Sequence, residues 1–414
     1  MLALPVHAVP GLVVQPAELL ALPLLAYAAS RVVRDGRLVT WTSVDVGVLS
    51  WLAGVVIAAV VFFARGGVPD GDVLHDVGAT AYLAVLYFGI RVVADDAIVG
   101  AAIEAFISGA TVAAILGVIG FALSELGVHT PLAFAADSVY PYLGNAARAR
   151  ALTATPNMLA SILMLAMLLL ASGVASRWSA LMRGVAFGLL SLGFALAFSK
   201  TVVALVAGLV ILWALRTARG SRRAALGIAI WLVASAAFSV FSHLAVVCDT
   251  ATRPRLEEAM FISGEPLFTL DFAGRRCALH PTNYFFNKRA SLIAIERSWP
   301  WGIGPGRHPA FAGQLRREGL YPVTQWLGAP HSSYSGSAAE LGLAGVLGLA
   351  AFLGGLSLGI RDALRRETTR PLAVAAAAAF AALLIEAIAT DVMHFRHYTW
   401  LAALVGAAAA RVRE

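Results

Sequence analysis

Residues 331–354 read HSSYSGSAAELGLAGVLGLAAFLG. The segment opens polar and, from Ala338 onward, carries one ionisable side chain, Glu340, in an otherwise apolar run. The apolar residues are continuous rather than alternating, which selects a helix over a lipid-facing strand. A bilayer core needs about 20 such residues at 1.5 Å each. The same pattern recurs along the chain. Eleven spans are expected, at about 8–30, 44–64, 77–93, 97–123, 156–172, 180–198, 200–215, 224–247, 331–359, 372–390 and 397–411. Ser199 and Lys200 alone separate the sixth from the seventh, so these two form a tight hairpin. Thr155-Pro156 is a helix start, a capping hydroxyl followed by proline at the first helical position.

Composition agrees. Of 414 residues, 59% are hydrophobic and 13% charged, against about 25% charged in a soluble domain. Lipid is the natural solvent for such a chain, and its backbone must then satisfy itself in helices. The expected fold is an all-α polytopic membrane protein of about 11–12 transmembrane helices. It divides into spans within 1–247, one large loop at 248–330, and spans within 331–414. The net charge of +7 does not indicate nucleic acid, because no basic run is interleaved with aromatics on a soluble domain. The N-terminal MLALPVHAVPGLVV lacks a positive n-region and a small-residue cleavage site, so it does not read as a removable signal. The alanine run around 374–382 suits close helix packing.

Lys and Arg counts orient the spans. With the N-terminus outside, sixteen fall in inside segments and five in short outside ones. The other ten lie in 248–330, which is too long to count. The large loop is therefore expected outside. Both cysteines, Cys248 and Cys277, fall in it. An oxidising compartment permits a disulfide between them, the alternative being two free, buried thiols. No C-x-x-C or H-x-x-x-H spacing accompanies them, which argues against a metal.

The loop holds ten basic residues against seven acidic ones. Either these are solvated ion pairs or some form an anion site, where arginine offers a planar fork to phosphate. Within it, 288–308 reads KRASLIAIERSWPWGIGPGRH. Arg289, Leu292, Ile293, Ile295 and Trp299 form a stripe expected on an amphipathic helix lying on the bilayer. Pro300 ends that helix, and Gly302, Gly304 and Gly306 make a tight turn that by itself reads as structural. His331 stands where the chain re-enters the membrane, with Tyr334 expected one turn onward on the same face. A histidine near a hydroxyl is the usual general base; alone, an interfacial one is often incidental. Glu340, inside a span, is a functional candidate by default. Lys200, at its hairpin tip, either snorkels to the interface or binds an anion. Asp70–Asp72, an Asp-Gly-Asp, fits ordinary turn chemistry better than a metal pair.

Four blocks, in order, resemble the O-antigen ligase and polymerase superfamily of polyprenyl-linked glycan transferases. They are ATPNMLASILML (154–165), FSKTVVALVAGLVIL (198–212), RASLIAIERSWPWGIGPGRHPAF (289–311) and HSSYSGSAAELGLAG (331–345). Asn157 falls at the family's Pro-Asn-x-x-Ala position. Lys200 stands where the family usually has arginine, keeping the charge and losing the bidentate fork. The resemblance covers about residues 150–400. It implies a GT-C-like fold in a bacterial inner membrane, with the large loop in the periplasm and no cofactor or metal. The implied reaction moves a glycan from an undecaprenyl-diphosphate carrier to a hydroxyl of a lipid A core or a growing polysaccharide. It casts Arg289, Lys200 and Arg307 as diphosphate clamps and His331 as base, with Tyr334 or Glu340 orienting the acceptor. A secondary transporter or flippase coupled through Glu340, Glu386 and Asp391 is the rival reading.

Overall fold

The structure is a computed structural model and describes residues 6–9, 12–14, 16–36, 39–128, 135–140, 144–175, 177–217, 221–241, 243–248, 266–272, 274–323, 325 and 327–411. Among them the chain is mostly helical. The helices are α1 (Pro16–Asp35), α2 (Ser43–Ala64), α3 (Gly71–Val93), α4 (Asp96–Glu125), α5 (Pro156–Ser172), α6 (Ala180–Leu196), α7 (Val202–Thr217) and α8 (Ser221–Phe241). After the large loop's two helices, α9 (Asn283–Ser298) and α10 (His308–Arg317), come α11 (Ser333–Ala363), α12 (Arg370–Ala389) and α13 (Arg396–Ala410).

Each expected span meets a helix, with corrected ends. The first begins at Pro16, because Val6–Val9 (β1) and Leu12–Val14 (β2) pair as an antiparallel hairpin. The third begins at Gly71, where the Asp70 carboxylate accepts from Val73 N and caps the helix. The eighth ends at Phe241. Leu244–Val247 (β5) then enters an antiparallel sheet with Phe268–Phe272 (β6) and Arg275–Pro281 (β7), in the order β5-β7-β6. Ala135–Tyr140 (β3) and Gly144–Ala149 (β4) form a further hairpin. The all-α expectation is thus too strict. Short strands occupy the loops, where the chain needs no span and hairpins satisfy the backbone locally.

Five helices are long and apolar enough to cross a membrane: Ser43–Ala64, Gly71–Val93, Ala97–Glu125, Ser333–Ala363 and Arg370–Ala389. Side chains are distributed as a lipid solvent would sort them. Large apolar residues face outward, among them Ile57 and Val60 on α2, Leu181 and Val185 on α6, and Leu232 and Val233 on α8. Ser161, Glu386 and His397 are buried inside. Central α5 is buried almost all round, and the alanine run of α12 (Ala373, Ala375, Ala376, Ala378, Ala379) is enclosed. These features are those of a multi-pass membrane protein.

The helices run up and down, and side chains tie the turns at each end. At one end Arg91 of α3 binds buried Asp45 of α2 at 3.0 Å and donates to Thr40 O, while Arg216 of α7 donates to Ala171 O and Ser172 O at the close of α5. At the other end Arg307 pairs with Asp70, Asn157 meets Ser199, and Ser332 Oγ donates to Ala387 O. The α2–α3 turn, the α6–α7 turn, the large loop and the α12–α13 turn therefore share one end.

Helices α2 and α11 pack most closely. A Cβ on Gly54 would lie 2.6 Å from Ala344 O, so a larger side chain there would drive the helices apart. Ser43 Oγ donates to Gly355 O across the same seam. Helix α11 breaks at Gly342 (φ 62°, ψ −146°). The freed Ala339 and Glu340 carbonyls accept from Ile303 N (3.0 Å) and Gly304 N (2.9 Å), while Leu343 N donates to Pro300 O. A Cβ on Gly302 would lie 2.7 Å from Gly342 N. The glycine turn is thus a plug that fills the kink and satisfies its backbone.

Candidate functional site

The end shared by these turns gathers three basic side chains, two histidines and an aromatic ring. Lys200 reaches it from the tip of the α6–α7 hairpin. Phe198, two residues before it, is held at φ 44°, a conformation costly for a bulky residue. Arg148 of β4 fastens that turn, donating through Nε to Ala197 O (2.9 Å) and through Nη2 to Phe198 O (3.2 Å). The same guanidinium donates to Asn157 Oδ1 at 2.9 Å, and Asn157 Oδ1 also accepts from Ser199 Oγ at 3.1 Å. Asn157 sits on the first turn of α5, whose start is fixed by Thr155 capping Met158 N and by Pro156. It orients the arginine and the turn together.

Tyr284, at the start of α9, joins the two halves of the site. The Lys200 ammonium lies 4.9 Å from the Tyr284 ring centroid, within cation–π range. The His331 ring lies against the same tyrosine, centroids 4.6 Å apart and tilted by 41°. One helical turn beyond Tyr284, Lys288 comes to the same face of α9. Burial and the nearby Arg148 charge pull Lys200 down to about 8, and burial with the Lys200 charge does the same for Lys288. Burial pushes His331 down to about 4, reinforced by His308, Lys288 and Lys200. His243, which follows α8, is also lowered by burial and by Lys288 and Lys200. The arrangement is cationic, partly dehydrated and strained by its own repulsion. A multiply charged anion would relieve that repulsion, and a neutral imidazole stands beside it as a proton acceptor.

Of the expected site residues, the structure brings Asn157, Lys200 and His331 together. Arg289 is turned the other way. The buried face of α9 consists of Phe286, Asn287, Ala290, Ser291, Ala294 and Ser298, while Arg289 and Leu292 are exposed, as is Trp299 just past the helix end. The expected stripe is therefore split. Small and polar residues face the protein because the helix packs tightly on α11, and Lys288 takes the inward position beside Arg289. His331 does not share a helix face with Tyr334. It precedes the Ser332 cap with φ 52°, and Tyr334 OH donates instead to Leu384 O at 2.8 Å. Glu340 accepts from His308 N at 2.8 Å, beside the plug. Arg307 pairs with Asp70 and lies over the Phe62 ring.

Cys248 and Cys277 are disulfide-bonded, joining the end of β5 to β7 at the position next to the Val247–Ala278 pair. Arg253 and Arg255, and the rest of 249–265, lie outside the described residues. Asp391 accepts from Ser333 Oγ and Met393 N. Sequence reasoning missed Arg148, Tyr284 and Lys288. It also missed a buried chain beneath the site. Glu386 accepts from Tyr398 OH (2.5 Å), Ser161 Oγ (2.9 Å) and Thr201 Oγ1 (3.5 Å), and Thr201 Oγ1 meets Ser199 Oγ at 2.8 Å. Hydrogen bonds thus run from the bundle interior to Asn157 and Arg148. No family model matches this chain, and no curated protein matches it.

Proposed function

We propose that this chain is a membrane-embedded glycosyltransferase, moving a glycan from an undecaprenyl-diphosphate carrier to an acceptor hydroxyl at the outer face of a bacterial inner membrane. The acceptor is a lipid A core in the ligase reading, or a growing polysaccharide in the polymerase reading. The observation that carries the proposal is the meeting of Lys200, Lys288 and His331 around Tyr284 at one end of an apolar helical bundle. Two sequence blocks that resemble the ligase and polymerase superfamily, 198–212 and 331–345, supply Lys200 and His331, Lys288 stands immediately before a third, and the Lys/Arg count favours the outside for this end.

In this reading the acceptor oxygen attacks the anomeric carbon of the donor glycan. The bond from that carbon to the carrier's phosphate oxygen breaks, and its electron pair leaves with the diphosphate. Lys200 and Lys288 hold the charge that develops there, with Arg148 behind them. Fixed cations act strongly in a partly dehydrated site because little reorganisation is needed. The acceptor proton passes to the neutral ring of His331. Bound diphosphate raises the basicity of that ring by offsetting the cations that depress it.

Surface-glycan profiles of a deletion strain test the proposal. Loss of capped lipopolysaccharide with polymer still present indicates a ligase. Accumulation of single repeat units indicates a polymerase. Unaltered lipopolysaccharide and polysaccharide would rule out both.

A further inference from the structure

A second basic surface lies apart from the Lys200 cluster and shares none of its residues. An open groove of about 620 Å³ runs between the end of α2, the end of α9, the glycine plug and α10. Four arginines line it: Arg65, Arg297, Arg307 and Arg317. We infer that this groove binds the phosphate headgroup of an anionic membrane lipid, a site separate from the transferase centre proposed above.

Two of the arginines are held in place. Arg297 binds Glu318 at 2.7 Å, and Gln314 Nε2 steadies the same carboxylate at 2.8 Å. Arg307 is fixed between Asp70 and the Phe62 ring. Arg65 and Arg317 form no salt bridge among the described residues. The four arginines outnumber these two carboxylates, and neither carboxylate lines the groove. Planar guanidinium forks suit phosphate oxygens.

The surroundings favour a lipid over a soluble anion. Arg65 directly follows the apolar helix α2, whose outward residues Val56, Ile57, Val60 and Phe63 are exposed just beneath it. Phe62 and Phe311 line the groove wall. Trp299 and Trp301 are each about half exposed on the adjoining turn, and Leu292 is exposed one face further along α9. Arginine at the end of an apolar span, with tryptophan at the same level, is the pattern of a headgroup interface. An acyl chain can lie along α2 while its phosphate meets the arginines. Along α9, Lys288 and Arg297 are nine residues apart, roughly 14 Å at 1.5 Å per residue, so the two basic sites can be filled together.

The test uses the full chain in nanodiscs of three kinds: phosphatidylcholine alone, phosphatidylcholine with phosphatidylglycerol, and phosphatidylcholine with inorganic diphosphate in the buffer. Retained phosphatidylglycerol is counted by native mass spectrometry, with the thermal midpoint read in parallel. The wild type should retain phosphatidylglycerol and gain thermal stability from it, whereas any gain from inorganic diphosphate, which binds the Lys200 cluster in the proposed reading, should be the same in R65Q/R317Q as in the wild type. R65Q/R317Q should weaken retention roughly 30-fold, since each basic residue near an anionic surface contributes about 1 kcal/mol. R65K/R317K should keep most of the retention, as should R361Q/R365Q at the opposite end of the bundle. R65Q/R317Q should melt like the wild type in phosphatidylcholine alone, which excludes misfolding. Equal loss in R361Q/R365Q, undiminished retention in R65Q/R317Q, or a diphosphate gain that is lost in R65Q/R317Q would each overturn the inference.

Discussion

The Lys200 ammonium lies 4.9 Å from the centroid of the Tyr284 ring. The two residues belong to different parts of the chain, one a turn between apolar helices and the other the first turn of a helix in the large loop. Their contact docks the loop onto the bundle and brings His331 against the same ring. If the ring organises the site, Tyr284→Phe should keep transfer within about twofold, since the hydroxyl is not what Lys200 meets. Tyr284→Ala should lower kcat/KM by roughly 5- to 30-fold, the range of about 1–2 kcal/mol for a partly desolvated cation–π contact. Equal activity of the two variants would remove the ring from the account.

The inward lysine of α9, rather than its arginine neighbour, is expected to matter. Lys288→Ala should reduce donor turnover at least tenfold, while Arg289→Ala, on the exposed face, should change it by less than about threefold, as surface substitutions usually do. Steady-state transfer by the two variants in membranes, with protein levels matched, decides between them. A larger loss from Arg289→Ala would place the diphosphate on the other side of the helix.

The pH dependence follows from the free-protein shifts. His331, at about 4, is neutral and able to accept a proton across the physiological range. Lys200 and Lys288, at about 8, lose their charge above that pH. The profile of kcat/KM, which reports the free enzyme, should therefore hold between limbs near 4 and near 8. Bound diphosphate favours the protonated form of all three groups, so both limbs of kcat should move to higher pH. An acid limb near 6.5 in kcat/KM, or limbs that stay fixed on saturation, would contradict the assignment.

Beneath the site, Glu386 holds Thr201, and Thr201 holds Ser199. Glu386→Ala leaves buried hydroxyls without an acceptor, at a cost of about 1–3 kcal/mol each. It should lower kcat more than tenfold by loosening the Lys200 turn. Glu386→Gln keeps a carbonyl acceptor and should restore most of the rate. Failure of glutamine to rescue would mean that the carboxyl does more than position the turn.

Much of this architecture was legible in the sequence, and what was not has physical causes. Eleven apolar runs produced eleven helices because lipid-facing and core-facing residues are both apolar, so the pattern does not depend on neighbours. The three-stranded sheet of β5, β6 and β7 escaped notice because its strands are four to seven residues long, too short for alternation to register. Asn157, Lys200 and His331 stood in recognisable blocks. Lys288 was hidden by its neighbour. The face of α9 that docks is built of Asn287, Ala290, Ser291 and Ala294, whose small and polar character reads as an outer face. Tyr284 and Arg148 carry no local signature, because their roles depend on contacts with distant turns.

The Cys248–Cys277 bond closes 29 residues of sequence. A loop of that size contributes about 3–4 kcal/mol to the region it staples. A thiol reagent applied to the unreduced protein should leave both cysteines unlabelled, and Cys248→Ala should expose the 248–330 region to protease at a lower temperature. Labelling of both without reduction would show free thiols.

The central claim is that the Lys200–Tyr284–His331 cluster transfers glycan from a diphosphate carrier. Its most direct test is a single-turnover reaction of the purified protein in lipid, with a defined undecaprenyl-diphosphate-linked glycan and an acceptor. The measured quantity is glycan on the acceptor together with released undecaprenyl diphosphate. The account predicts equal amounts of both with the wild type, and neither with His331→Ala or with the Lys200→Ala/Lys288→Ala pair, although all three fold and insert. Undiminished transfer by His331→Ala and by the lysine pair would contradict it.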